Sequence, residues 1–198
     1  MSGIGCLDLP ALCGRVWLAL SVWYCLSGIT GMWLSVWSRL SGLVGLVLDV
    51  CYRWCGMACL ALLGITILAG ALVAGMDAGL LYNHYPLMGI GLVPIEYGED
   101  GWLDPFENPA SAQFHHRWIA AVTFGAVVVL ALKARRHGLH LRSNLVIGAV
   151  LAQFILGIVT LLHGVPVALG GMHQAGAVVL LGCLLALLHG ESRHRENI

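Results

Sequence analysis

The chain contains a run of 48 residues, between Arg142 and Glu191, in which no Asp, Glu, Lys or Arg occurs. Across all 198 residues only 10% are charged and 59% are hydrophobic, whereas water-soluble domains carry roughly 25% charged residues. So few charges cannot cover a water-facing surface, which excludes a soluble globular enzyme. Lys and Arg together number 10, as do Asp and Glu, so the basic excess of a nucleic-acid-binding protein is missing too. The sequence therefore predicts an integral membrane protein surrounded by lipid.

Five stretches are long and apolar enough to cross a bilayer, which takes about 20 residues. They are apolar all round rather than at alternate positions, which predicts helices and not the strands of a barrel. The predicted spans are Val16–Trp37, Trp54–Met76, Gln113–Leu132, Asn144–His163 and Gly170–His189. Proline at position 166 removes a backbone donor and separates the last two. We expect an all-α, polytopic membrane protein with a four-helix bundle plus one extra N-terminal transmembrane helix.

Basic and acidic residues occupy different segments between these spans. Residues 133–142 hold four fixed positive charges and no acid, and Arg39, Arg53, Arg193 and Arg195 are expected on the same side. Residues 77–112 carry six acidic residues and no Lys or Arg. Because loops on the cytoplasmic side carry an excess of Lys and Arg, the basic side is predicted to face the cytoplasm or matrix. The acidic loop is predicted to lie outside.

Seven cysteines fall into two groups that differ in their predicted surroundings. Cys51, Cys55 and Cys59 repeat every four residues along one helix stripe, where small apolar packing residues are favoured over a metal site. Cys6 and Cys13 lie in a predicted external tail that shows no cleavable signal peptide. An oxidising compartment there would allow a disulfide between Cys6 and Cys13, and their spacing leaves both this and free thiols open.

Two of the nine histidines are predicted to lie at the same depth in the membrane. His116 and His173 begin the third and fifth predicted helices at their outer ends. Ionisable groups in lipid usually face the bundle interior, and two imidazoles at one level are what six-coordinate haem iron requires. Structural hydrogen bonding by His116 and His173 is an equal alternative at this point. His115 is rotated by about 100° from His116, so only one of the two can face a given site.

Arg117 is a cation in the first turn of a helix on the predicted outer side. This position opposes both the helix dipole and the positive-inside bias, so an anionic partner is expected. A haem propionate would serve, and so would an ion pair with Glu107 or Asp77 in the loop.

Four ordered sequence blocks lie between residues 64 and 190: Gly70–Met88, Glu107–Asn108 with Gln113–Arg117, Leu156–Leu162 with Val165–Pro166, and His173–Gly176. In the first block an apolar helix runs into Ala-Gly-x-Asp-Ala-Gly, followed by Asn, an aromatic residue, Pro and Met. Together the four blocks resemble the haem A synthase family.

The resemblance implies an enzyme with two similar four-helix halves that oxidises a methyl of haem O to the formyl of haem A for cytochrome oxidase. Its second half binds haem b through two histidines, which correspond to His116 and His173 as ligands of the iron, with Arg117 beside the cofactor. Asp77 and Asn83 are candidates for the outer mouth of this pocket, and turn formation past a helix end is an equal alternative for both. The catalytic residues are not identified. The implied partners are haem O, haem O synthase and a second copy or companion half.

The first half of the family supplies its own histidine pair and a glutamate, whereas residues 1–83 of this chain contain neither residue type. Gly5–Gly14 loosely resembles the external cysteine loop of that half, with a spacing one residue longer. We therefore expect a divergent segment with one transmembrane helix at 1–55, a haem-binding four-helix domain at 56–190 and a cytoplasmic tail at 191–198. A haem A synthase in the bacterial plasma membrane or mitochondrial inner membrane is the first hypothesis. A non-catalytic haem b protein and a cofactor-free structural subunit are the others.

Overall fold

A computed structural model describes the backbone of residues 9–99 and 101–196, and the side chains of residues 35–43, 50–99 and 101–190. Among these residues every regular element is a helix, apart from one isolated bridge between Met88 and Gly91. The α-helices are α1 (Leu9–Gly75), α2 (Asp104–Glu107), α3 (Pro109–Arg136), α4 (His140–Leu162) and α5 (Val167–Glu196), and 3-10 turns lie at Ala78–Leu80 and Gly101–Leu103. The expected all-α class is confirmed.

Helix α1 is continuous where the sequence predicts a break between two spans. The stretch between Arg39 and Arg53 contains no proline. The hydroxyls of Ser38 and Ser41 donate to carbonyls three residues earlier, both at 2.9 Å, so the serines do not interrupt the helix. Most side chains of the predicted span Val16–Trp37, and the cysteine pair Cys6 and Cys13, lie outside the described residues.

The chain divides into two compact units, Met1–Cys51 and Tyr52–Ile198. In the first unit, the described side chains from Ser35 to Leu43 are all exposed. In the second unit, α3 packs against α4 and α4 packs against α5. The buried core of this unit contains Tyr52, Cys59 and Leu63 of α1 together with Val127, Leu130, Ala131, Ala134, Val146, Val150, Leu180, Leu184 and Leu187.

Four of the described helical segments are long and apolar enough to span a membrane. They are Val50–Gly75, Pro109–Arg136, His140–Leu162 and Val167–Gly190. Of the predicted cysteine stripe, Cys59 belongs to the buried core and Cys55 packs against it, whereas Cys51 is exposed and does not pack there. The described residues contain no group of three or more His, Cys, Asp or Glu that could hold a metal ion.

Both histidine-bearing helices begin earlier than their hydropathy predicts. Helix α3 starts at Pro109 rather than near Gln113, because Asn108 caps it and proline suits the first helical position. Helix α5 starts at Val167 rather than near Gly170, directly after the predicted Gly-Val-Pro break. His116 and His173 therefore lie about two turns inside their helices, deeper than the first turn that the sequence indicates.

The acidic segment between α1 and α3 is held to the bundle by hydrogen bonds. The Asp104 carboxylate, only 2% exposed, accepts hydrogen bonds from the Gly98 amide at 2.9 Å and from the Ser111 hydroxyl. Asn108 accepts from the amides of Ala110 at 3.0 Å and Ser111 at 3.3 Å. Its Nδ2 donates to the carbonyl of Glu96 at 2.7 Å. The residue that begins α3 thus also fixes the loop that precedes it.

Candidate functional site

The His116 imidazole, on α3, lies directly against a glycine of α1. A Cβ placed on Gly70 would be 3.0 Å from His116 Cε1, so any larger residue there would press on the ring. The backbone of Thr66, one turn earlier on α1, also interacts with the imidazole. Nδ1 of His116 is buried and has no hydrogen-bond partner among the described residues. The His116 ring therefore packs closely against Gly70 on one side, and its Nδ1 makes no hydrogen bond among the described residues.

The His173 imidazole, on α5, has the same relation to a glycine of α4. A Cβ on Gly157 would be 2.7 Å from His173 Cε1, closer than real Cβ atoms approach. Nε2 of Gln153, one turn before Gly157, lies 3.2 Å from His173 Nδ1 and donates to the His173 carbonyl at 2.8 Å. His173 therefore packs against Gly157 and is contacted by the side-chain amide of Gln153.

His116 and His173 lie on α3 and α5, two helices that contact each other. Both side chains are half-buried, and each lies about two turns from the start of its helix. The two histidines that the sequence singles out thus lie, each half-buried, on helices that contact each other.

His115 is turned away from this pair. Its Nδ1 lies 2.8 Å from the carbonyl of Ser111, in the preceding turn of α3. Its ring stacks on Tyr97, with centroids 5.6 Å apart and an angle of 28° between the planes. His115 therefore packs against the loop, whereas His116 packs against Gly70 of α1.

Arg117 is bound to the loop through backbone carbonyls rather than through Glu107 or Asp77. Its guanidinium donates to the carbonyls of Tyr82 at 2.6 Å, His84 at 2.9 Å and Leu87 at 3.3 Å. Three carbonyl dipoles thus take the place of the expected carboxylate. The remaining donor, Nε, is buried and has no partner among the described residues.

Asp77 and Asn83 lie on the loop side of the helix ends. Asp77 is exposed and left-handed, with φ at 51°, and precedes a 3-10 turn without a side-chain capping bond. Asn83 is half-buried, and its Nδ2 would lie 3.8 Å from a Cβ on Gly164, in the α4–α5 turn. Its Oδ1 is buried without a partner among the described residues.

A cavity of about 510 Å³ lies outside the histidine pair, in the acidic loop. Three glutamates and Tyr82 are among its lining residues, and none of those residues is a histidine. The Tyr82 hydroxyl donates to Glu96 Oε2 at 2.6 Å. This hydrogen bond lowers the pKa of Glu96 and raises the pKa of Tyr82, because it favours the carboxylate together with the neutral phenol.

Gln153 and the two glycines were not singled out from the sequence. Gln153 carries a signal that could have been used, because it is the only polar side chain between Asn144 and Thr160 in α4. Gly70 and Gly157 carry none, since glycine is common throughout this chain, with 26 occurrences.

Four apolar helices long enough to cross a bilayer are those of a multi-pass membrane protein, and α3 and α5 each carry a half-buried histidine about two turns from the helix start. Residues 46–185 match the COX15-CtaA family, described as cytochrome oxidase assembly protein. The chain belongs to this family.

Similar curated proteins carry the name Heme A synthase. The protein of Rhodospirillum centenum is 47% identical over 138 residues, which is 67% of this chain and 37% of the relative. That of Caulobacter sp. is 45% identical over 120 residues, 58% of this chain and 35% of the relative. The protein of Flavobacterium psychrophilum is 39% identical over 142 residues, which is 68% of this chain and 42% of the relative. The chain thus spans less than half the length of these relatives. No solved structure matches the chain.

Proposed function

We propose that the chain is a haem A synthase-like membrane oxidoreductase in which His116 and His173 would hold haem b. The observation that carries the proposal is that α3 and α5 each place a half-buried imidazole about two turns from the helix start, packed against a glycine of a neighbouring helix. Family membership, and relatives named Heme A synthase, support a role in haem A biosynthesis.

The donor set of the pair suits a haem better than a metal ion held by protein alone. Structural and catalytic metal sites made only of side chains take three or four ligands, and the described residues offer no such group. A porphyrin supplies four nitrogens to iron, so two imidazoles complete the coordination. Neutral imidazole also tolerates lipid surroundings, because it brings no charge into them.

The haem, when bound, would carry electrons for the oxidation of a methyl of haem O to the formyl of haem A. The residues of this chain contribute position and an apolar environment. Gly70 would pack against the His116 ring and Gly157 against the His173 ring, which restricts the orientation of both rings. Arg117 ties the loop to α3 next to His116, and its unpaired Nε–H suits a carboxylate such as a haem propionate. Asp77 and Asn83 would line the outer mouth of the pocket.

The proposal includes the sidedness and surroundings of the site. The acidic loop lies outside, and the basic end of α3 faces the cytoplasm or matrix. The membrane is the bacterial plasma membrane, or the mitochondrial inner membrane in a eukaryote. Haem O is the substrate, and haem O synthase and cytochrome oxidase assembly provide the context.

The second candidate function is that of a non-catalytic haem b membrane protein. It is favoured by residues 1–83, which contain no His and no Glu and so offer no second ligand pair. Under this alternative the chain transfers electrons or assists a companion half. Catalysis by the chain would then require that half, or a second copy, as partner.

Spectroscopy of the full chain tests the ligands. We expect protein purified in detergent with haem to show a low-spin b-type reduced-minus-oxidised spectrum, and His116→Ala or His173→Ala to abolish it. His163→Ala is the matched control, because His163 is exposed at the end of α4 and bonds within its own helix, to Val159 at 2.8 Å. A spectrum that survives both ligand substitutions would overturn the assignment.

A second experiment separates the two functions. The chain is expressed in cells that make haem O but lack their own haem A synthase, with and without a separately expressed first half of a relative. Extracted haem A identifies the enzyme, and dependence on the added half identifies the companion. A bound b-type haem without haem A in either case supports the non-catalytic protein.

A further inference from the structure

Two threonines on different helices bond to each other within the membrane-spanning part of the bundle. Thr66 is the only Ser, Thr, Asn or Gln among residues 54–75 of α1. Thr123 is the only one among residues 118–132 of α3. Each of these two spans thus has a single hydroxyl or amide side chain, and the two side chains lie 2.8 Å apart, measured between their Oγ1 atoms. Their contacts therefore indicate what they do.

The hydrogen bonds of this threonine pair have a defined direction. Thr66 Oγ1 donates to the carbonyl of Leu62, in the preceding turn of α1, at 2.7 Å. Because a carbonyl only accepts and a hydroxyl has one proton, Thr123 is the donor of the bond between the two hydroxyls. Thr123 Oγ1 also lies 3.4 Å from the Leu62 carbonyl, a longer and weaker contact. The Thr123 side chain, only 3% exposed, is thus tied to α1.

The threonine pair lies on the same helix faces as the contact between His116 and Gly70. Thr123 follows His116 by seven residues on α3, which returns it to the same side of the helix. Gly70 follows Thr66 by four residues on α1, with the same result. The two contacts therefore join the same two helices, and the threonine pair lies farther from the start of α3.

The position of α1 limits the orientation of the His116 ring, because Gly70 presents only backbone to it. A Cβ on Gly70 would be 3.0 Å from His116 Cε1, so there is little spare space between the ring and α1. The backbone of Thr66 also interacts with the imidazole. A hydrogen bond between hydroxyls tolerates only a narrow range of distances, so the threonine pair fixes how closely α1 approaches α3.

We infer that Thr66 and Thr123 are positioning residues for His116: their hydrogen bond sets the distance and register of α1 against α3, and thereby the plane of the imidazole that would bind haem iron. This inference rests on the proposed function. Removal of either hydroxyl leaves both His116 and His173 in the chain, so it changes the orientation of one ligand and not its identity. The haem should then stay bound and low-spin, with a different angle between the two imidazole planes.

The test uses the full chain in detergent, loaded with haem b, and measures the electron paramagnetic resonance spectrum of the ferric form. The largest g value of low-spin ferric haem depends on the angle between the planes of its two imidazole ligands. Thr66→Val and Thr123→Val keep the shape of the side chain and remove the hydroxyl, so each should shift this g value while haem is retained. The double variant should shift it no further than the larger single shift, because the two hydroxyls act through one bond.

Serine variants and a control separate positioning from a purely structural role. Thr66→Ser and Thr123→Ser keep the hydroxyl and should keep the g value of the parent. Ser41→Ala is the matched control, because the Ser41 hydroxyl bonds within α1, to the Ser38 carbonyl at 2.9 Å. Valine variants that unfold at a lower temperature but keep the parent g value would overturn the inference. Should the valine variants fail to fold, as judged by helicity and gel filtration, the serine variants decide, and a shifted g value in either one would overturn it.

His116→Ala is measured in parallel. If it abolishes the low-spin spectrum while Thr66→Val and Thr123→Val leave the g value unchanged, the inference falls and the proposed ligand stands. If His116→Ala leaves the spectrum intact, the ligand assignment falls and the inference falls with it.

Discussion

Each imidazole of the pair depends on one residue that has no side chain. A methyl group on Gly157 would lie 2.7 Å from His173 Cε1, closer than real Cβ atoms approach, and one on Gly70 would lie 3.0 Å from His116 Cε1, so that the ring would have to shift slightly. Overfilling a packed site is typically destabilising by about 1–3 kcal/mol. The orientation of both rings is therefore sensitive to substitutions on the neighbouring helices, far from the rings in sequence.

Gly157→Ala tests this dependence. We expect weaker haem retention and a perturbed spectrum, because the added Cβ would lie 2.7 Å from His173 Cε1 and the ring must shift. Gly148→Ala is the matched control on the same helix, since a Cβ there meets nothing within 4 Å. Alanine favours helix by up to about 1 kcal/mol over glycine, so the control should retain haem and unfold no earlier. Equal spectra for the Gly157→Ala and Gly148→Ala variants would contradict the inferred packing of His173 against Gly157.

The sequence predicts which residues meet at the site better than it predicts how they are held. Ionisable side chains are rare within membrane spans, so the sequence alone identifies His116 and His173 as candidate site residues. The role of Gly70 or Gly157 depends on which side chain packs against it from the neighbouring helix, and the sequence does not show which side chain that is. Arg117 shows the same limit, because the need for a negative partner is readable, whereas backbone carbonyls of a folded loop are not.

Among the elements, the loop before α3 is the one built most by polar contacts. Asn108 caps α3 through Ala110 and Ser111 and holds the loop through the Glu96 carbonyl and Asp104. Hydropathy marks where lipid contact begins and contains no information on such a cap, so it predicts a start of α3 several residues later than Pro109. In α1 the difference is the opposite: Arg39 and Arg53 predict a connection between two spans, whereas the helix is continuous because no residue there breaks it.

Asn108→Ala should lower the free energy of unfolding by about 0.5–2 kcal/mol, the usual range for a lost N-cap. Thermal unfolding in detergent measures this loss, and limited proteolysis should show earlier cleavage between residues 85 and 100. Asn108→Asp keeps the capping acceptor but loses the donor to the Glu96 carbonyl, so it should expose the loop more than it destabilises the helix. Asn144→Ala, at an exposed position on α4, should change stability by no more than about 0.5 kcal/mol. A loop that resists protease in Asn108→Ala would contradict the role of this residue.

On the scale of the whole molecule, the packing of a histidine against a glycine of another helix occurs twice among α1, α3, α4 and α5. Each glycine lies near the end of one helix, Gly70 in α1 and Gly157 in α4, and each histidine lies near the start of the helix that follows the connection. One connection is the long acidic loop and the other is a short turn containing Gly164 and Val165. The overall bundle was readable from apolar runs and the proline break, because lipid imposes those on every span. This repetition was not readable, because the two connections share neither length nor composition.

The basic and acidic segments lie at opposite ends of α3, which makes sidedness testable. Lys133, Arg135 and Arg136 form its last turn, and Asp104 and Glu107 precede its first. In a cysteine-free background of intact cells, an impermeant maleimide should label Glu99→Cys at once and His137→Cys only after the membrane is opened. The reverse pattern would invert the proposed orientation.

The attachment of the loop through Arg117 has a consequence for its durability. Amide oxygens, unlike carboxylates, take up no proton in mildly acidic surroundings, and counter-ions compete for them weakly. The clasp on Tyr82, His84 and Leu87 will therefore hold through acidification and changes of ionic strength that would neutralise or screen an ion pair. This attachment of the loop to α3 therefore differs from the one through the Asp104 carboxylate, which acid can protonate.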